Sequence, residues 1–453
     1  MTAPAPTLIP LHPLIAREAE ARAITDALFE TISKPALYAR AIPERHRLIF
    51  YLGHLEAFDW NLLGQRAFGL EPDQPALDKL FAFGIDPTDG NLPDDPASAW
   101  PSEEEVRGYC EATRRRIDEN VADMFANPSE KSAELETLLN VAIEHRLMHA
   151  ETLAYLLHQL PYDQKHSNQP AQIFGNNSGL LKSHLVEIPE GVATLGLPKG
   201  EIEGQTRGRH GEQFGWDNEF EENQQQVPSF RISAYPVTNG EFLEFFRAGG
   251  YNQENLWRPE DWEWKTSSGV THPFFWIARG NDWNYRGMFE EYPLPLSNPV
   301  YVSYAEARAY ARWAGKSLPT EAQWHRAAYG AADGSERAYP WGNTEPERGH
   351  GNFNFASWDP TPVCTHPKGA SRFGIFDLLG NGWEWTSTVF EPFAGFEPFS
   401  FYQGYSADFF DGKHFVMKGG SPRTATCMLR RSFRNWFQPH YPYVYAKFRC
   451  VEG

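Results

Sequence analysis

The sequence predicts a multi-domain protein of the α and α+β classes, in which a four-helix bundle precedes an irregular α+β domain. The first observation is the length of 453 residues, since a folded domain typically has about 100–200 residues. The second is a change of composition near residue 165, and the third is a polar, turn-rich segment at that point, as expected of a linker. We therefore expect domains at 1–165 and 184–453, joined by a linker at 166–183.

Four long segments before residue 165 repeat apolar residues at helical spacing and have few glycines or prolines in their interior. The third begins with Ser102 and Glu105, the pattern of a capping box, in which both side chains bind free backbone N–H groups. Before it, the order of Asp86, Asp89 and Gly90 does not fit a calcium-binding EF-hand loop, so we expect a solvated acidic loop. The predicted helices lie near residues 14–32, 45–68, 102–126 and 130–160.

After residue 184, short strand-like runs alternate with loops that are rich in glycine, proline and aromatic residues. This pattern is typical of an α+β domain with much irregular structure. Two helical patterns occur, and the second begins with Ser303 and Glu306 in the positions of a capping box. The predicted helices are 239–248 and 303–314, and the predicted strands include LVEIP, PSFRISAYPVT and HFVMKGG.

The composition excludes several classes of function. The chain has 59 Asp and Glu against 41 Lys and Arg, so it has no general electrostatic attraction to nucleic acid or to anionic lipid. It lacks the run of about 18 apolar residues that a membrane span needs, and it lacks a secretory signal, so we expect a cytoplasmic protein. Its four cysteines form no CxxC pair, which indicates neither a disulfide framework nor a cysteine zinc site. The oligomeric state stays open.

The fourth predicted helix places two histidines on its core face. His145 and His149 belong to a series of residues at steps of three and four, the seam that a bundle helix turns toward the core. Positions four apart share one face, so both imidazoles can reach one point. On the second predicted helix, His54 lies four residues from both Phe50 and Phe58 and is therefore the candidate third ligand.

A metal ion would explain this pattern, because an unsatisfied buried nitrogen costs about 1–3 kcal/mol. A hydrogen-bonded pair of bundle histidines is the alternative. The sequence HRLMH lacks the glutamate of the HExxH motif, which disfavours a zinc peptidase. Three imidazole ligands with open positions suit iron(II), zinc or copper, and the spacing does not distinguish these metals.

The second domain contains four blocks in a fixed order, ARWAGKSLPTEAQWHR at 311–326, YPWGN at 339–343, DLLGNGWEWT at 377–386 and KGGSPRT at 418–424. Together they resemble the signature of the sulfatase-modifying-factor (formylglycine-generating enzyme) family, a variant of the C-type-lectin fold. The resemblance implies a C-type-lectin-like scaffold. Formylglycine formation itself needs a closely spaced cysteine pair for copper, and Cys427 and Cys450 are too far apart in sequence to match it.

In the helical domain, GHLEAFDWN and HRLMHAET resemble a DinB-like bundle. The fusion of such a bundle to a lectin-like domain resembles the ergothioneine-type sulfoxide synthases over nearly the whole chain. The resemblance implies that His54, His145 and His149 bind a non-haem iron(II). It also implies an enzyme that uses O2 to join a chalcogen to the imidazole C2 of hercynine, which is trimethylhistidine.

Two positions bear on the chalcogen donor. The ergothioneine branch often has Gln immediately before the second histidine of the metal helix and Asp after Asn-Trp, whereas this chain has Met148 and Phe437. The segments RHRLIFYLGHLEAFDWN, LFAFGIDP and SFRNWFQPHYPYVYAKFR are most similar to the selenoneine synthases, which use a selenosugar. We therefore expect a carbon–selenium bond. The alternatives are a carbon–sulfur bond with γ-glutamylcysteine or cysteine, and a non-catalytic lectin-like binding protein with a structural metal.

The resemblance also implies the substrate-site residues. The active-site tyrosine of the family falls in GFEPFSFYQGYSADFFDGKH, on Tyr402 or alternatively on Tyr405. Asn435 and Trp436 match the motif of the hercynine pocket, where aromatic rings attract a trimethylammonium group by about 0.5–2 kcal/mol per contact. Arginines near this motif either bind substrate or form structural ion pairs. The residues expected to contact a carboxylate or sugar hydroxyls are Arg431, Arg434 and Gln438.

Overall fold

The computed structural model describes residues 12–82, 96–127, 132–167, 183–198 and 214–452. These residues form two compact units, of which the first ends at His166 and the second begins at Ser167. The expected combination of an α and an α+β unit is confirmed. The limits of the domains stay a prediction, because most of the predicted linker lies outside the described residues, as does the acidic loop with Asp86, Asp89 and Gly90.

The first unit is a bundle of four long helices, all of which the sequence predicts. Its α-helices are α1 (Pro13–Phe29), α2 (Leu48–Asp59), α3 (Pro75–Phe81), α4 (Glu103–Ala126) and α5 (Ser132–His158). Helix α1 packs on α5, and α2 packs on α3, α4 and α5. Two features differ from the prediction. Helix α2 continues directly into a π-helical segment, Trp60–Ala67, and the short helix α3 precedes the acidic loop.

The local signals at the helix ends and faces agree with the sequence. Ser102 and Glu105 form the predicted capping box of α4. On α5 the predicted seam is buried at Leu135, Leu138, Ala142 and both histidines. Helices α2 and α5 are buried on almost every side, so they form the centre of the unit. No helix of the described ranges is long and apolar enough to cross a membrane.

A buried ionic network joins these two central helices. The guanidinium of Arg146 on α5 is fully buried and donates to Oε1 of Glu56 at 3.0 Å and to Oδ2 of Asp59 at 2.5 Å, both in α2. Arg114 of α4 also donates to Glu56, at 2.7 Å. Burial raises the pKa of Glu56, but the charges of Arg146 and Arg114 outweigh it and lower that pKa to about 2. At Asp59 burial is the larger effect and raises the pKa to about 7, so Glu56 is the carboxylate that the arginines keep charged inside the bundle.

The second unit is built from small sheets. Its strands are β1 (Leu185–Ile188), β2 (Gly191–Leu195), β3 (Asn223–Val227), β4 (Phe230–Ser233), β5 (Trp276–Arg279), β6 (Asp282–Arg286), β7 (Glu291–Pro293), β8 (Gly382–Val389), β9 (Phe415–Gly420), β10 (Asn435–Phe437), β11 (Ala446–Lys447) and β12 (Val451–Glu452). They form sheets in the orders β1-β4-β12, β10-β9-β8-β11, β2-β3 and β5-β6-β7. All pairs are antiparallel except the parallel pair of β11 and β8.

Four α-helices accompany these sheets: α6 (Asn239–Arg247), α7 (Pro259–Ser267), α8 (Tyr304–Trp313) and α9 (Glu321–Tyr329). Helices α6 and α8 were predicted, and Ser303 with Glu306 forms the expected capping box of α8. Helices α7 and α9 were missed, although Thr320 and Gln323 cap α9 in the same way. All four cysteines are free thiols.

Glu384 of β8 connects two of the sequence blocks to the C-terminal segment of the second unit. Its fully buried carboxylate accepts two hydrogen bonds from Arg449, both at 2.6 Å, and one from Nε1 of Trp324 in α9, at 2.9 Å. Lys447 of β11 lies 3.7 Å from the same carboxylate. Trp324 and Glu384 of the signature blocks therefore have a structural role in the buried network.

We predict that Arg146→Met destabilises the helical unit by about 3–5 kcal/mol, because it leaves the buried Asp59 without its partner and the buried Glu56 with Arg114 alone. Urea denaturation of the full chain, followed by far-ultraviolet circular dichroism, measures this change. The control is Arg107→Ala, which removes the surface pair with Glu103 on α4 and should cost at most about 1 kcal/mol. Equal effects of the two substitutions would contradict the prediction.

Glu384→Gln should destabilise the second unit by about 3–5 kcal/mol, because the neutral amide turns a donor toward groups that can only donate. Tryptophan fluorescence during urea denaturation reports this unit, which contains Trp324, Trp383 and Trp385. Glu452→Gln, at the surface pair with Arg231, is the matched control and should change stability by less than about 1 kcal/mol.

Candidate functional site

Helices α2 and α5 bring the three predicted histidines together. Each of His54, His145 and His149 is buried, and their candidate ligand nitrogens lie within 4.8 Å of one another. The centroids of the imidazole rings are 4.4 to 5.6 Å apart. Within the described residues, this is the cluster of histidine, cysteine and acidic side chains that has the spacing of a metal site.

The ring of His54 is oriented by a backbone carbonyl group. Its Nδ1 lies 2.7 Å from the carbonyl oxygen of Phe81, the last residue of α3. Because a carbonyl oxygen only accepts, the proton lies on Nδ1 and the lone pair lies on Nε2. The ring also stacks on Phe50, with a centroid distance of 5.0 Å. These contacts leave Nε2 as the atom of His54 that can bind a metal.

The other two rings are held along α5. The ring of Phe58, four residues after His54, stacks on His145 with a centroid distance of 3.4 Å. The Nε2 atoms of His145 and His149 are 3.2 Å apart. Two nitrogens bound to one metal at about 2.0–2.1 Å are themselves about 3 Å apart, so this separation fits two ligands of one ion. It also fits a single N–H···N hydrogen bond, the alternative from the sequence.

Burial keeps all three imidazoles neutral. It lowers the pKa of His54 to about 4 and lowers the pKa of His145 and of His149 well below the usual value. The neighbouring imidazoles lower the pKa of His145 further. A metal binds the neutral form of the ring, so the side chains are in the state that coordination needs.

The residues therefore fit a metal ion. Three neutral ring nitrogens converge, and Nδ1 of His54 has the backbone acceptor that ligating histidines usually have. Nδ1 of His149 is buried and has no acceptor among the described residues. Nitrogen donors without thiolate or carboxylate suit iron(II), zinc and copper and disfavour magnesium and calcium.

The predicted tyrosines lie in the second unit, in an aromatic cluster with Trp436. Tyr405 stacks on Trp216 with a centroid distance of 3.9 Å, and it lies 5.5 Å from both Tyr402 and Trp436. Trp436 stacks in turn on Phe390, at 4.1 Å. The structure thus brings together three of the predicted residues. Tyr405 is buried and Tyr402 is half-buried.

The remaining predicted residues lie within a few positions of Trp436, in β10 and in the segments on either side of it. The side-chain oxygen of Asn435 accepts from the backbone N–H of Trp436 at 2.8 Å. Arg431 forms an ion pair with Glu336 at 2.9 Å, and the buried Arg434 forms one with Glu321 at 3.1 Å. Gln438 is exposed. The arginines therefore have the structural partners that the sequence analysis gave as the alternative, and their substrate role stays a prediction.

Sequence reasoning missed the segment that supports the tyrosines. The hydroxyl of Ser406 donates to Oδ1 of Asp217 and lies 3.0 Å from Nδ2 of Asn218. All three residues are buried. Burial raises the pKa of Asp217 to about 6, although the hydrogen bond from Ser406 opposes this shift. No local pattern indicates these contacts, because Asn218 and Asp217 are 188 and 189 positions away from Ser406 in the sequence.

The fold and the histidine cluster define a class of protein, a helical bundle with a candidate metal centre joined to a sheet-rich domain of small, cross-connected sheets. The chain belongs to the family described as "Sulfatase-modifying factor enzyme 1-like domain", whose model matches residues 176–453. Residues 19–153 match the model of the DinB superfamily. Both parts of the expected DinB-like and lectin-like combination are thereby confirmed at the level of family.

Two relatives have names that refer to hercynine or to ergothioneine. The chain is 42% identical over 237 residues to "Hercynine oxygenase" of Mycobacterium tuberculosis, which covers 52% of this chain and 55% of that protein. It is 28% identical over 509 residues to "Ergothioneine biosynthesis protein 1" of Neurospora crassa, covering 93% of this chain and 55% of that one. The chain thus spans little more than half the length of these relatives.

A third relative is "Formylglycine-generating enzyme" of Mycobacterium tuberculosis. The two are 32% identical over 219 residues, covering 38% of this chain and 68% of that protein.

We predict that His149→Ala abolishes stable metal binding, because two imidazoles from different helices do not complete the cluster. The measurement is metal content by mass spectrometry after anaerobic loading of the full chain with Fe(II) and desalting. His166→Ala, which changes an exposed histidine of the same unit, is the control and should bind as the unchanged protein does. Full metal content in the His149 variant would show that metal binding does not require His149 and would contradict the three-histidine site.

Proposed function

We propose that this chain is a non-haem iron(II), O2-dependent enzyme that joins a chalcogen to the imidazole C2 of hercynine. The observation that carries the proposal is the convergence of three buried, neutral imidazoles on two central helices. The names of the relatives support hercynine as substrate and oxygen as oxidant. The match of both family models supports the same two-domain combination.

The three histidines are the proposed ligands of the iron. Bound there, iron(II) would supply a redox-active Lewis acid that accepts oxygen and an anionic chalcogen donor. An all-imidazole site keeps its own charge at zero, so the positive charge of the ion remains available to stabilise an anion. Burial excludes bulk water from the cluster and strengthens such interactions.

The second unit supplies the proposed substrate-binding groups. The ring centroid of Trp436 lies 4.1 Å from that of Phe390 and 5.5 Å from that of Tyr405. Such a group of aromatic rings is suited to a trimethylammonium group. We assign Asn435 to the same pocket. Tyr402, the more accessible tyrosine, is the proposed proton or electron donor, and Tyr405 is the alternative because its ring is packed against Trp216.

Side chains near β10 are the proposed contacts to the donor substrate. Gln438 is exposed, and Arg431 is partly exposed beside its partner Glu336, so both can reach a carboxylate or hydroxyl group. Arg434 is only 2% exposed and is bound to Glu321, which favours a structural role. These assignments rest on position and exposure.

The donor itself has two candidates. The names of the relatives favour sulfur, with γ-glutamylcysteine or cysteine as the thiol. In that reaction one oxygen atom enters the sulfoxide, and the other leaves as water with the hydrogens from C2 and the thiol. The residues Met148 and Phe437 favour a selenosugar, since neither can make the polar contacts of the Gln and Asp of the ergothioneine branch.

The deciding experiment is anaerobic loading with Fe(II), followed by air and hercynine with each of γ-glutamylcysteine, cysteine and a selenosugar. Mass spectrometry of the products should show hercynine joined to sulfur or selenium, and the preferred donor has the higher kcat/KM. His145→Ala should lower the rate at least about 100-fold, because it removes a ligand, whereas His166→Ala should retain it. An iron-loaded protein that binds hercynine and forms no product with any donor would instead support a non-catalytic binding protein.

A further inference from the structure

Gly53 lies inside helix α2 immediately before His54, at a position where glycine weakens a helix relative to alanine. The packing of α3 against this position explains why it is there. A Cβ atom at residue 53 would lie 2.5 Å from Cδ2 and Cε2 and 2.6 Å from Cγ of Phe81. Contacts this short do not occur between non-bonded carbon atoms. The ring of Phe81 therefore occupies the space that a side chain at residue 53 would need.

The ring of Phe81 is enclosed by other side chains. It is fully buried. Its centroid lies 5.8 Å from that of Tyr109 and 6.4 Å from those of Phe50 and Trp100. In a close-packed interior, a displaced ring moves its own backbone or its neighbours. A side chain at residue 53 would therefore push the end of α3 away from α2.

The same residue, Phe81, supplies the carbonyl oxygen that accepts from Nδ1 of His54 at 2.7 Å. The close approach of α3 to Gly53 and the hydrogen bond to His54 thus belong to one contact between helices α2 and α3. The bond directs the proton to Nδ1 and aims Nε2 at the other two imidazoles.

We propose that Gly53 and Phe81 are positioning residues for the metal centre, and that they act through the tautomer and the orientation of His54. The proposal rests on the metal-binding part of the proposed function and is independent of the substrate and of turnover. Neither side chain supplies a ligand atom. The glycine permits the approach of α3, and the packed ring holds the carbonyl group in place.

The test measures the dissociation constant of Fe(II) under argon for the full chain, together with the absorption spectrum of the Co(II) form. Gly53→Ala should raise the dissociation constant about 10- to 100-fold, the range typical for loss of a hydrogen bond to a ligating histidine. Phe81→Ala, which loosens the carbonyl group instead of crowding it, should raise it about 10-fold. Both should alter the Co(II) spectrum, since one imidazole is misaligned.

Two further variants separate positioning from general damage. Combining Gly53→Ala with Phe81→Ala removes the ring atoms that would meet the new methyl group and keeps the carbonyl group, so binding should lie within about threefold of that of Phe81→Ala alone. Gly108→Ala is the matched control, because it adds the same methyl group to an exposed helical glycine of α4 with no atom within 4 Å. It should leave the dissociation constant unchanged.

The outcomes distinguish this inference from the proposed function. If the unchanged protein binds no metal, the proposed function fails and the inference fails with it. If the unchanged protein binds Fe(II) and folded Gly53→Ala and Phe81→Ala bind it within about threefold of that affinity, the inference alone is overturned. Should Gly53→Ala not fold, Phe81→Ala and the combined variant give the same decision.

Discussion

The ion pairs of Arg146 with Glu56 and Asp59 hold together the two helices on which all three imidazoles lie. Arg146 follows His145 directly on α5, and Glu56 is two residues beyond His54 on α2. A buried ion pair adds little stability compared with apolar packing, but breaking it is costly, so it defines the register of two helices well. The distances between the imidazoles depend on that register. The charged network is therefore a structural condition for the proposed metal centre.

In the second unit, the residues that identify the family and the residues proposed for function are different. Glu384 and Trp324 belong to the four signature blocks and, together with Arg449, are fully buried in mutual hydrogen bonds. Tyr402 is half-buried and Gln438 is exposed, and both lie outside these blocks. A family resemblance in this fold thus identifies a scaffold, and activity has to be argued from the side chains that the scaffold leaves accessible.

The parts of the structure that sequence predicts well are those that depend on neighbours along the chain. The four long helices, the capping boxes at Ser102 and Ser303, and the shared face of His145 and His149 all follow from spacings of three or four residues. The carbonyl group of Phe81 and the contact of Ser406 with Asp217 depend on distant segments and have no local signal. Strands of two residues, such as β11, are too short for any alternation to appear.

The sheet that opens the second unit is also the sheet that closes it. Strand β4 pairs with β1 on one edge and with β12 on the other, so Ile232 faces both Val186 and Val451. During synthesis on the ribosome, the helical unit has all its helices once His158 has emerged. The second unit has to wait for Val451 before its first sheet is complete. We therefore expect the bundle to fold first during translation, and the second unit to complete its fold only after Val451 has emerged.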